Sequence, residues 1–124
     1  MPDQVIEIHG TTRKAACLKC YEEYDVKDFY EESSKADNFP LCPKCHDGYV
    51  KVATISFGQQ LDSAVLSLAK EKSSQCRYFI VMGSSLKVSP ANHFPRMALN
   101  NNAKLIILNY DSTPFDSDAD FVIN

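Results

Sequence analysis

The 124-residue sequence lacks several features that would assign it to a broad class of proteins. Its 13 lysine and arginine residues form no run, and 16 acidic residues outnumber them, so the basic surface typical of a nucleic-acid-binding protein is absent. The longest apolar runs, FIVM and LIIL, are far too short to span a bilayer. No basic segment followed by an apolar one opens the chain, so we expect no signal peptide. We therefore expect no direct contact with nucleic acid or membrane.

Signatures of phosphate binding are also missing. The sequence contains neither a G-x-G-x-x-G motif nor a Walker-type loop, so the main phosphate cradle of a dinucleotide-binding fold is not encoded in these residues. No internal repeat or low-complexity segment is present. The length is sufficient for one domain, or for one domain with a small insert held by a metal ion.

The cysteine pattern carries the strongest local signal. Two C-x2-C pairs, CLKC and CPKC, are separated by 21 residues and can close four thiolates around one zinc ion. The expected ligands are Cys17, Cys20, Cys42 and Cys45. Because sulfur would fill every position, the pattern predicts a structural zinc rather than a catalytic one. Spacing alone leaves two disulfides or a duplicated redox motif as alternatives, but the lack of an export signal favours a reducing compartment, cytoplasmic or nuclear.

Patterns of apolar residues predict an α/β fold with a mostly parallel sheet. Predicted strands cover residues 5–8, 49–56, 78–82, 104–108 and 121–123, and predicted helices cover residues 59–74 and 90–101. The run at 78–82 is apolar throughout, which is typical of a strand buried on both faces. Strands that alternate with helices after residue 49 indicate βαβ units.

The chain is therefore expected to contain three regions. Residues 1–10 would form a strand ending at His9-Gly10, residues 11–48 a zinc-binding module, and residues 49–124 the α/β region. Aromatic residues of the module are expected to surround the metal site: Tyr21, Tyr24, Phe29, Tyr30 and Phe39. The fifth cysteine, Cys76, is expected to act as a small half-buried apolar residue.

Polar or glycine-bearing segments follow three predicted strands. They are Phe57-Gly58, Gly83-Ser84-Ser85 and Asn109. In open parallel sheets, ligands bind beyond the carboxyl ends of the strands, so these segments are expected to line one crevice. Gly83 would allow close backbone approach, Ser84 and Ser85 could donate hydrogen bonds to phosphate or ribose oxygens, and the Asn109 amide could bind a ribose diol. A Gly-Ser-Ser turn is in itself a weak sign of a nucleotide site.

Six segments in order resemble the C-terminal half of a sirtuin, an NAD-dependent protein lysine deacylase. The segments are VIEIHG, CLKC, CPKC, ISFGQQL, FIVMGSSLKVSPA and LIILNYDSTPFDSDADFVI. The resemblance covers nearly the whole sequence. It implies about half of a Rossmann-like domain with a small zinc-binding module, and an acyl transfer from lysine to ADP-ribose that releases nicotinamide.

The resemblance also implies roles for individual residues. His9 would be the catalytic general base, a role that suits an imidazole at neutral pH. NAD would be the cofactor, and its adenosine side would contact Gly83, Ser84, Ser85 and Asn109. The four module cysteines carry over as ligands of a structural Zn²⁺.

An acylated-lysine protein or peptide is the implied substrate. Ile55 and Phe57 match positions that pack on the acyl-lysine stem. Gly58-Gln59 and Lys87-Val88 match the two backbone segments between which the peptide adds as a strand. Gln59 stands where the family has an acidic residue, so this chain has one charge fewer near the peptide groove.

A second departure from the family is larger. The first half of the family's domain, with its glycine-rich pyrophosphate loop, does not precede Val5. We therefore expect a truncated form whose sheet has an exposed edge open to association. The alternative function is a catalytically inactive, zinc-stabilised module that binds peptides or partners. Use in NAD sensing or hydrolysis is a third option, which the peptide-binding segments argue against.

Overall fold

A computed structural model describes residues 5–29 and 39–124 of the chain. The chain divides into two compact units, one spanning His9–Leu61 and the other comprising Met1–Ile8 and Asp62–Asn124. We call the first the cysteine unit and the second the parallel-sheet unit. Each unit contains one three-stranded sheet and its own buried core.

The cysteine unit is built on an antiparallel sheet with the strand order β2-β1-β3. Its strands are β1 (Gly10–Cys17), β2 (Glu23–Asp25) and β3 (Val50–Thr54). Side chains alternate along a strand, so one face of β1 turns inward and buries Ala15 and Cys17. A 3-10 helix, Val26–Phe29, follows β2 and adds its two apolar ends to the same core.

The parallel-sheet unit has the strand order β4-β5-β6 and two α-helices. Its elements are α1 (Ser63–Gln75), β4 (Tyr78–Met82), α2 (His93–Asn100), β5 (Lys104–Leu108), the 3-10 helix Asp116–Asp118 and β6 (Phe121–Ile123). Helix α2 packs on β4 and β5, and α1 packs on α2. The core consists of Val81, Leu86, Leu105, Ile107 and Phe115. The expected α/β class, the parallel sheet and the bounds of β4, β5 and β6 are confirmed.

Local sequence explains how helix α1 begins. The carboxylate of Asp62 accepts hydrogen bonds from the backbone N–H groups of Ala64 at 2.7 Å and Val65 at 3.0 Å. These bonds satisfy donors that the first helical turn leaves free. The sequence pattern placed the start of this helix at residue 59, but the structure places it after this cap. Residues 56–59 form a turn instead, closed by the N–H of Gln59 bonding to the carbonyl of Ser56 at 3.0 Å.

The asparagine run ends helix α2, as expected. Asn102 has a φ of 62°, in the left-handed region that terminates many helices. Its N–H bonds to the carbonyl of Leu99 at 3.0 Å, and the N–H of Ala103 bonds to the carbonyl of Ala98 at 3.1 Å. This pair of bonds is a Schellman motif, with asparagine in the place usually taken by glycine.

Two strand predictions were wrong, one in the existence of the strand and the other in its partner. Residues 5–8 form no strand and pair with no strand in the described ranges. The strand predicted over 49–56 exists as β3, but it pairs with β1 in the antiparallel sheet and does not join the parallel one. Apolar alternation signals a half-buried strand, but it does not identify the partner strand.

Strand β4 is not buried on both faces as its apolar run predicted. Val81 is buried, whereas Tyr78, Ile80 and Met82 are exposed. The difference arises because α2 covers only one face of the sheet in the described part of the chain. Cys76 is half-buried, in agreement with its expected role.

The aromatic residues expected around the metal site divide into two groups. Tyr24 and Phe29 pack in the core of the cysteine unit, with ring centroids 5.3 Å apart in an edge-to-face arrangement. Tyr21 and Phe39 are 80% and 76% exposed, so the prediction was wrong for them. Tyr30 lies outside the described residues.

Within residues 5–29 and 39–124, neither α-helix has the length and apolar character needed to cross a membrane.

Asp120 joins the start of β5 to the start of β6 and supports a test by pH. Its carboxylate accepts bonds from the Lys104 ammonium at 2.7 Å and the Leu105 N–H at 2.9 Å. The Lys104 bond is the main reason that the pKa of Asp120 lies below its usual range. A carboxyl with a lowered folded-state pKa stabilises the fold above its unfolded pKa of about 4, and this contribution is lost as pH falls through the folded value.

We expect Asp120→Asn to melt at a lower temperature than the wild type at pH 7. The gap in melting temperature should shrink as pH falls below about 4. Thermal unfolding followed by circular dichroism across this pH range measures the effect. Glu71→Gln is the matched control, because Glu71 has only a 3.9 Å exposed contact with Lys72. A pH-independent gap would contradict the assigned role of the carboxylate.

Candidate functional site

The four module cysteines converge on one point of the cysteine unit. Their sulfur atoms all lie within 4.8 Å of one another, with Cys17 and Cys45 at 3.7 Å and Cys20 and Cys42 at 3.6 Å. Four sulfurs around a tetrahedral zinc at its usual bond length would lie about 3.8 Å apart. These separations are far longer than a disulfide bond, and all four cysteines are free. The cluster therefore fits zinc, and the disulfide alternative is not the arrangement found.

Two turns of the same shape present the cysteine pairs. In the first, the N–H of Tyr21 bonds to the carbonyl of Cys17 at 3.1 Å, and in the second the N–H of His46 bonds to the carbonyl of Cys42 at 2.9 Å. Tyr21 and His46 both close their turn with a positive φ, of 60° and 56°. Each turn therefore reverses the chain immediately after a C-x2-C pair, which directs both sulfurs of the pair inward.

Backbone amides surround the sulfur atoms. The N–H groups of Lys19 and Cys20 approach the sulfur of Cys17 at 3.3 and 3.4 Å, and the N–H of Gly48 approaches the sulfur of Cys45 at 3.3 Å. Gly48 is required by close packing, since a Cβ at this position would lie 2.4 Å from the Cys17 sulfur. Such donors stabilise thiolates, which are the form that binds metal.

The thiols differ in how readily they lose a proton. The backbone hydrogen bond from Cys20 is the main reason that the pKa of the Cys17 thiol is lowered. For Cys42, burial is the largest influence and raises the pKa, but bonds from the Tyr24 hydroxyl and two backbone amides outweigh it and lower the pKa to about 6. For Cys20, the backbone bond at Glu22 is the largest influence and lowers the pKa, but burial and the other thiols together raise it to about 12.

This division follows from the crowding of four thiols. Thiolates only a few ångströms apart repel one another, so one member of the group retains its proton. A divalent cation bound among the sulfurs would favour the ionised form of every thiol. The donor set of four sulfurs with tetrahedral spacing is therefore suited to Zn²⁺ in a structural role.

Tyr24 is a functional residue that the sequence pattern identified only as an aromatic. Its hydroxyl lies 3.0 Å from the sulfur of Cys42. That bond is the main reason that the pKa of Tyr24 is raised to about 12. Strand β2 holds Tyr24 opposite Ala15, so the pairing of the two strands positions the hydroxyl. No spacing pattern in the sequence predicts this position.

The predicted general base lies at the other end of β1. The carbonyl of His9 accepts a bond from the N–H of Ile55 at 3.0 Å, and Gly10 pairs with Thr54. Gly10 has a φ of 73°, and a Cβ there would lie 2.0 Å from the carbonyl oxygen of Ala53. Only glycine allows this approach, which brings the exposed His9 beside Ile55 although 45 residues separate them in the chain.

A turn immediately after Ile55 holds the other predicted substrate residues of this unit. Gly58 has a φ of 86°, which fits the third position of a type II turn. The side-chain oxygen of Gln59 accepts a bond from the Ser56 N–H at 2.8 Å, closing the turn a second time. Phe57 at the tip is 94% exposed. Contrary to expectation, this segment follows an antiparallel strand rather than a strand of the parallel sheet.

The predicted NAD-binding residues lie at the carboxyl ends of β4 and β5. The N–H of Gly83 bonds to the carbonyl of Leu108 at 3.0 Å, which brings Gly83 close to Asn109. Gly83 has a φ of 61°, and a Cβ added to it would meet no atom within 4 Å beyond its chain neighbours, so its surface is open to a ligand. The Asn109 amide donates to the carbonyl of Asp111 at 2.7 Å.

The remaining predicted residues follow in the loop after β4. Ser84, Ser85, Lys87 and Val88 are all exposed. The hydroxyl of Ser84 accepts a bond from the Leu86 N–H at 3.4 Å, and the carbonyl of Val88 accepts one from the Asn92 N–H at 3.0 Å. The structure thus brings His9 together with the 55–59 segment in one unit, and Gly83 together with Asn109 in the other.

The two units together are typical of one class of protein. This class combines a four-cysteine module suited to zinc with a parallel α/β sheet that carries polar residues at the ends of its strands. The chain belongs to the Sir2 family, whose model matches residues 2–90. The expected relationship to sirtuins is confirmed.

Comparison with individual proteins gives the same result. The chain is 45% identical over 121 residues to an NAD-dependent protein deacetylase of Shouchella clausii (strain KSM-K16), a match covering 98% of this chain and 48% of that protein. A solved structure of Sir2Tm bound to a propionylated peptide has a TM-score of 0.88 at 35% identity, covering 97% of this chain and 50% of that one.

A structure of Sir2 with a p53 peptide and NAD+ gives a TM-score of 0.88 at 35% identity, covering 97% of this chain and 49% of that one. The chain thus spans about half the length of the relatives it matches.

We expect Tyr24→Phe to weaken zinc binding by about 10-fold, the lower end for loss of a group that supports a metal ligand. The substitution keeps the ring and its contact with Phe29 but removes the hydroxyl from Cys42. Competition with a chromophoric chelator measures the affinity. Tyr49→Phe is the control, since the exposed Tyr49 ring packs on Phe39. Equal zinc retention in both variants would contradict a role for the Tyr24 hydroxyl.

Proposed function

We propose that this chain provides the general base, the peptide-facing turn and the zinc module of an NAD-dependent protein lysine deacylase. The observation that carries the proposal is the placement of His9 beside Ile55 and the Ser56–Gln59 turn, through a bond that requires Gly10. The names of the matched relatives, NAD-dependent protein deacetylase and deacylase, support it.

NAD, when bound, supplies the ADP-ribose that accepts the acyl group and the nicotinamide that leaves. His9 would act as the general base that takes a proton from a ribose hydroxyl, a role for which an exposed imidazole is suited at neutral pH. Gly83, Ser84, Ser85 and Asn109 contact the adenosine side. The open backbone at Gly83 and the nearby Asn109 amide support this assignment.

The peptide substrate is held by backbone and apolar contacts. Ile55 and Phe57 pack on the acyl-lysine stem, and the exposure of Phe57 at the tip of its turn supports such a contact. By resemblance to the family, Gly58-Gln59 of the cysteine unit and Lys87-Val88 of the parallel-sheet unit each offer backbone groups to an extended peptide. The Gln59 amide closes the turn without adding a charge. We therefore infer that the site prefers basic residues in the peptide less strongly than it would with an acidic residue at position 59.

In this proposed function the zinc module has only a structural role. Four sulfurs leave no coordination position for substrate, and the cluster and His9 lie at opposite ends of β1.

The second candidate function is an inactive module that binds peptides or partners. The 124 residues contain no glycine-rich phosphate loop of their own, so by themselves they do not position NAD for reaction, and this observation favours the second candidate.

We expect no deacylation of an acetyl-lysine peptide by the chain alone, and NAD-dependent turnover when the first half of the Shouchella clausii relative is added in trans. Nicotinamide release and peptide mass measure the reaction. His9→Ala should lower the complemented rate by about 100-fold or more, because a general base contributes on that scale. His93→Ala is the control, since His93 belongs to α2 in the other unit.

Peptide binding without turnover under complementation would favour the inactive module. Turnover that survives His9→Ala would refute the general-base assignment. Turnover by the chain alone would refute its dependence on a second half.

A further inference from the structure

The two cysteine turns carry the same arrangement of charged residues. Each C-x2-C pair has a lysine immediately before its second cysteine and an acidic residue two positions after it. These residues are Lys19 and Glu22 in the first turn, and Lys44 and Asp47 in the second. Because the two turns also share their backbone hydrogen bond and a positive φ at the closing residue, both sets of charges are positioned by the same turn geometry.

The charged residues pair between the turns and not within them. The Lys19 ammonium forms an ion pair with the Asp47 carboxylate, and the Lys44 Nζ lies 2.5 Å from the Glu22 Oε2. The lysine of each turn thus binds the acid of the other turn. We call Lys19–Asp47 and Lys44–Glu22 the reciprocal pairs.

Close packing places one of the lysines. A Cβ added to Gly48 would lie 2.7 Å from the Cβ of Lys19, so the Lys19 side chain begins directly against the backbone of the second turn. Asp47 is the residue before Gly48, and this contact therefore starts the Lys19 side chain beside its partner. A side chain held in this way loses less conformational freedom when it forms its ion pair.

The reciprocal pairs cross the same gap as the metal cluster. The closest sulfur atoms belong to different turns, with Cys17 and Cys45 3.7 Å apart and Cys20 and Cys42 3.6 Å apart. A zinc ion in this cluster would be held by two sulfurs from each turn. Separation of the turns would release the ion, and the same movement would draw each lysine away from its carboxylate.

The expected contribution of each pair is small, but the two contributions combine. The four side chains are between 41% and 66% exposed. An exposed ion pair changes an equilibrium by roughly 1.4-fold to fivefold. Because both pairs would break in one movement, their effects on that movement multiply.

We propose that the reciprocal pairs form an ionic clasp that slows the loss of zinc from the four-cysteine cluster. The four charged side chains are positioning residues, since they act by holding the two turns together and not as ligands. The clasp makes zinc retention dependent on ionic strength, because exposed charges are screened by salt. The inference rests on the fit of the cluster to zinc and does not depend on deacylase activity.

The rate of zinc release tests the proposal. The zinc-loaded full chain is mixed with an excess of 4-(2-pyridylazo)resorcinol, an anionic chromophoric chelator. Lys19→Glu and Lys44→Glu should each speed release by about threefold, and both together by about 10-fold. An anionic chelator approaches a more negative protein more slowly, so the chelator cannot cause this acceleration. The difference from the wild type should shrink at about 1 M salt, where the Debye length is about 3 Å.

Charge exchange separates pairing from net charge. Lys19→Glu combined with Asp47→Lys rebuilds the pair in the opposite sense and should release zinc within about twofold of the wild-type rate. Lys19→Glu combined with Glu22→Lys has the same net charge but breaks both reciprocal pairs, and should release zinc about 10-fold faster. Lys14→Glu is the matched control, since the 2.5 Å ion pair of Lys14 with Glu23 joins β1 to β2 and not the two turns.

Circular dichroism and zinc content show that each variant is folded and loaded before the chelator is added. If a charge-reversal variant does not load, Lys19→Gln and Lys44→Gln remove the charges, as acetylation would, without adding repulsion. Together they should still release zinc faster than the wild type. The proposal would be overturned by wild-type release rates in these variants, by equal rates in the two charge-exchange variants, or by an equal acceleration in Lys14→Glu.

Discussion

The antiparallel pairing of β1 with β3 is the interaction on which the candidate site depends. At one end it aligns Cys17 with Val50, directly after the second cysteine turn. At the other end it aligns Gly10 with Thr54 and joins His9 to Ile55. The same strand pair, whose register shifts between Gly10 and Ala15, thus holds both the metal cluster and the candidate catalytic segment. Gly10 and Gly48 lie at its two ends, each where a Cβ would collide with a neighbouring atom.

The sequence allowed more to be predicted about the parallel-sheet unit than about the cysteine unit. Strands β4, β5 and β6 were predicted to the residue, because short apolar runs bounded by polar turns are a strong local pattern. The end of α2 was also predictable, since a run of asparagines favours the left-handed conformation found at Asn102. The start of α1 was not, because Gln59 continues the helical pattern but is held in a turn by Ser56.

What the sequence did not reveal are contacts made across strands. The cluster was foreseen because metal ligands repeat at short spacing, whereas the contact of Tyr24 with Cys42 depends on how β2 lies on β1. The partner of β3 was missed for the same reason. The alternation of apolar and polar residues indicates which face of a strand is buried, but it does not identify the neighbouring strand. The exposure of β4 was missed because its residues suit a sheet covered twice, while the described chain covers it once.

The length of β1 has a consequence for how the metal can influence the chemistry. At the usual rise of a strand, its 8 residues separate Cys17 from Gly10 by at most roughly 23 Å. That distance exceeds the Debye length of about 8 Å at physiological salt, so the charge of the cluster is screened before it reaches His9. The link between them that the structure shows is the pairing of β1 with β3, which holds Cys17 opposite Val50 at one end and joins His9 to Ile55 at the other.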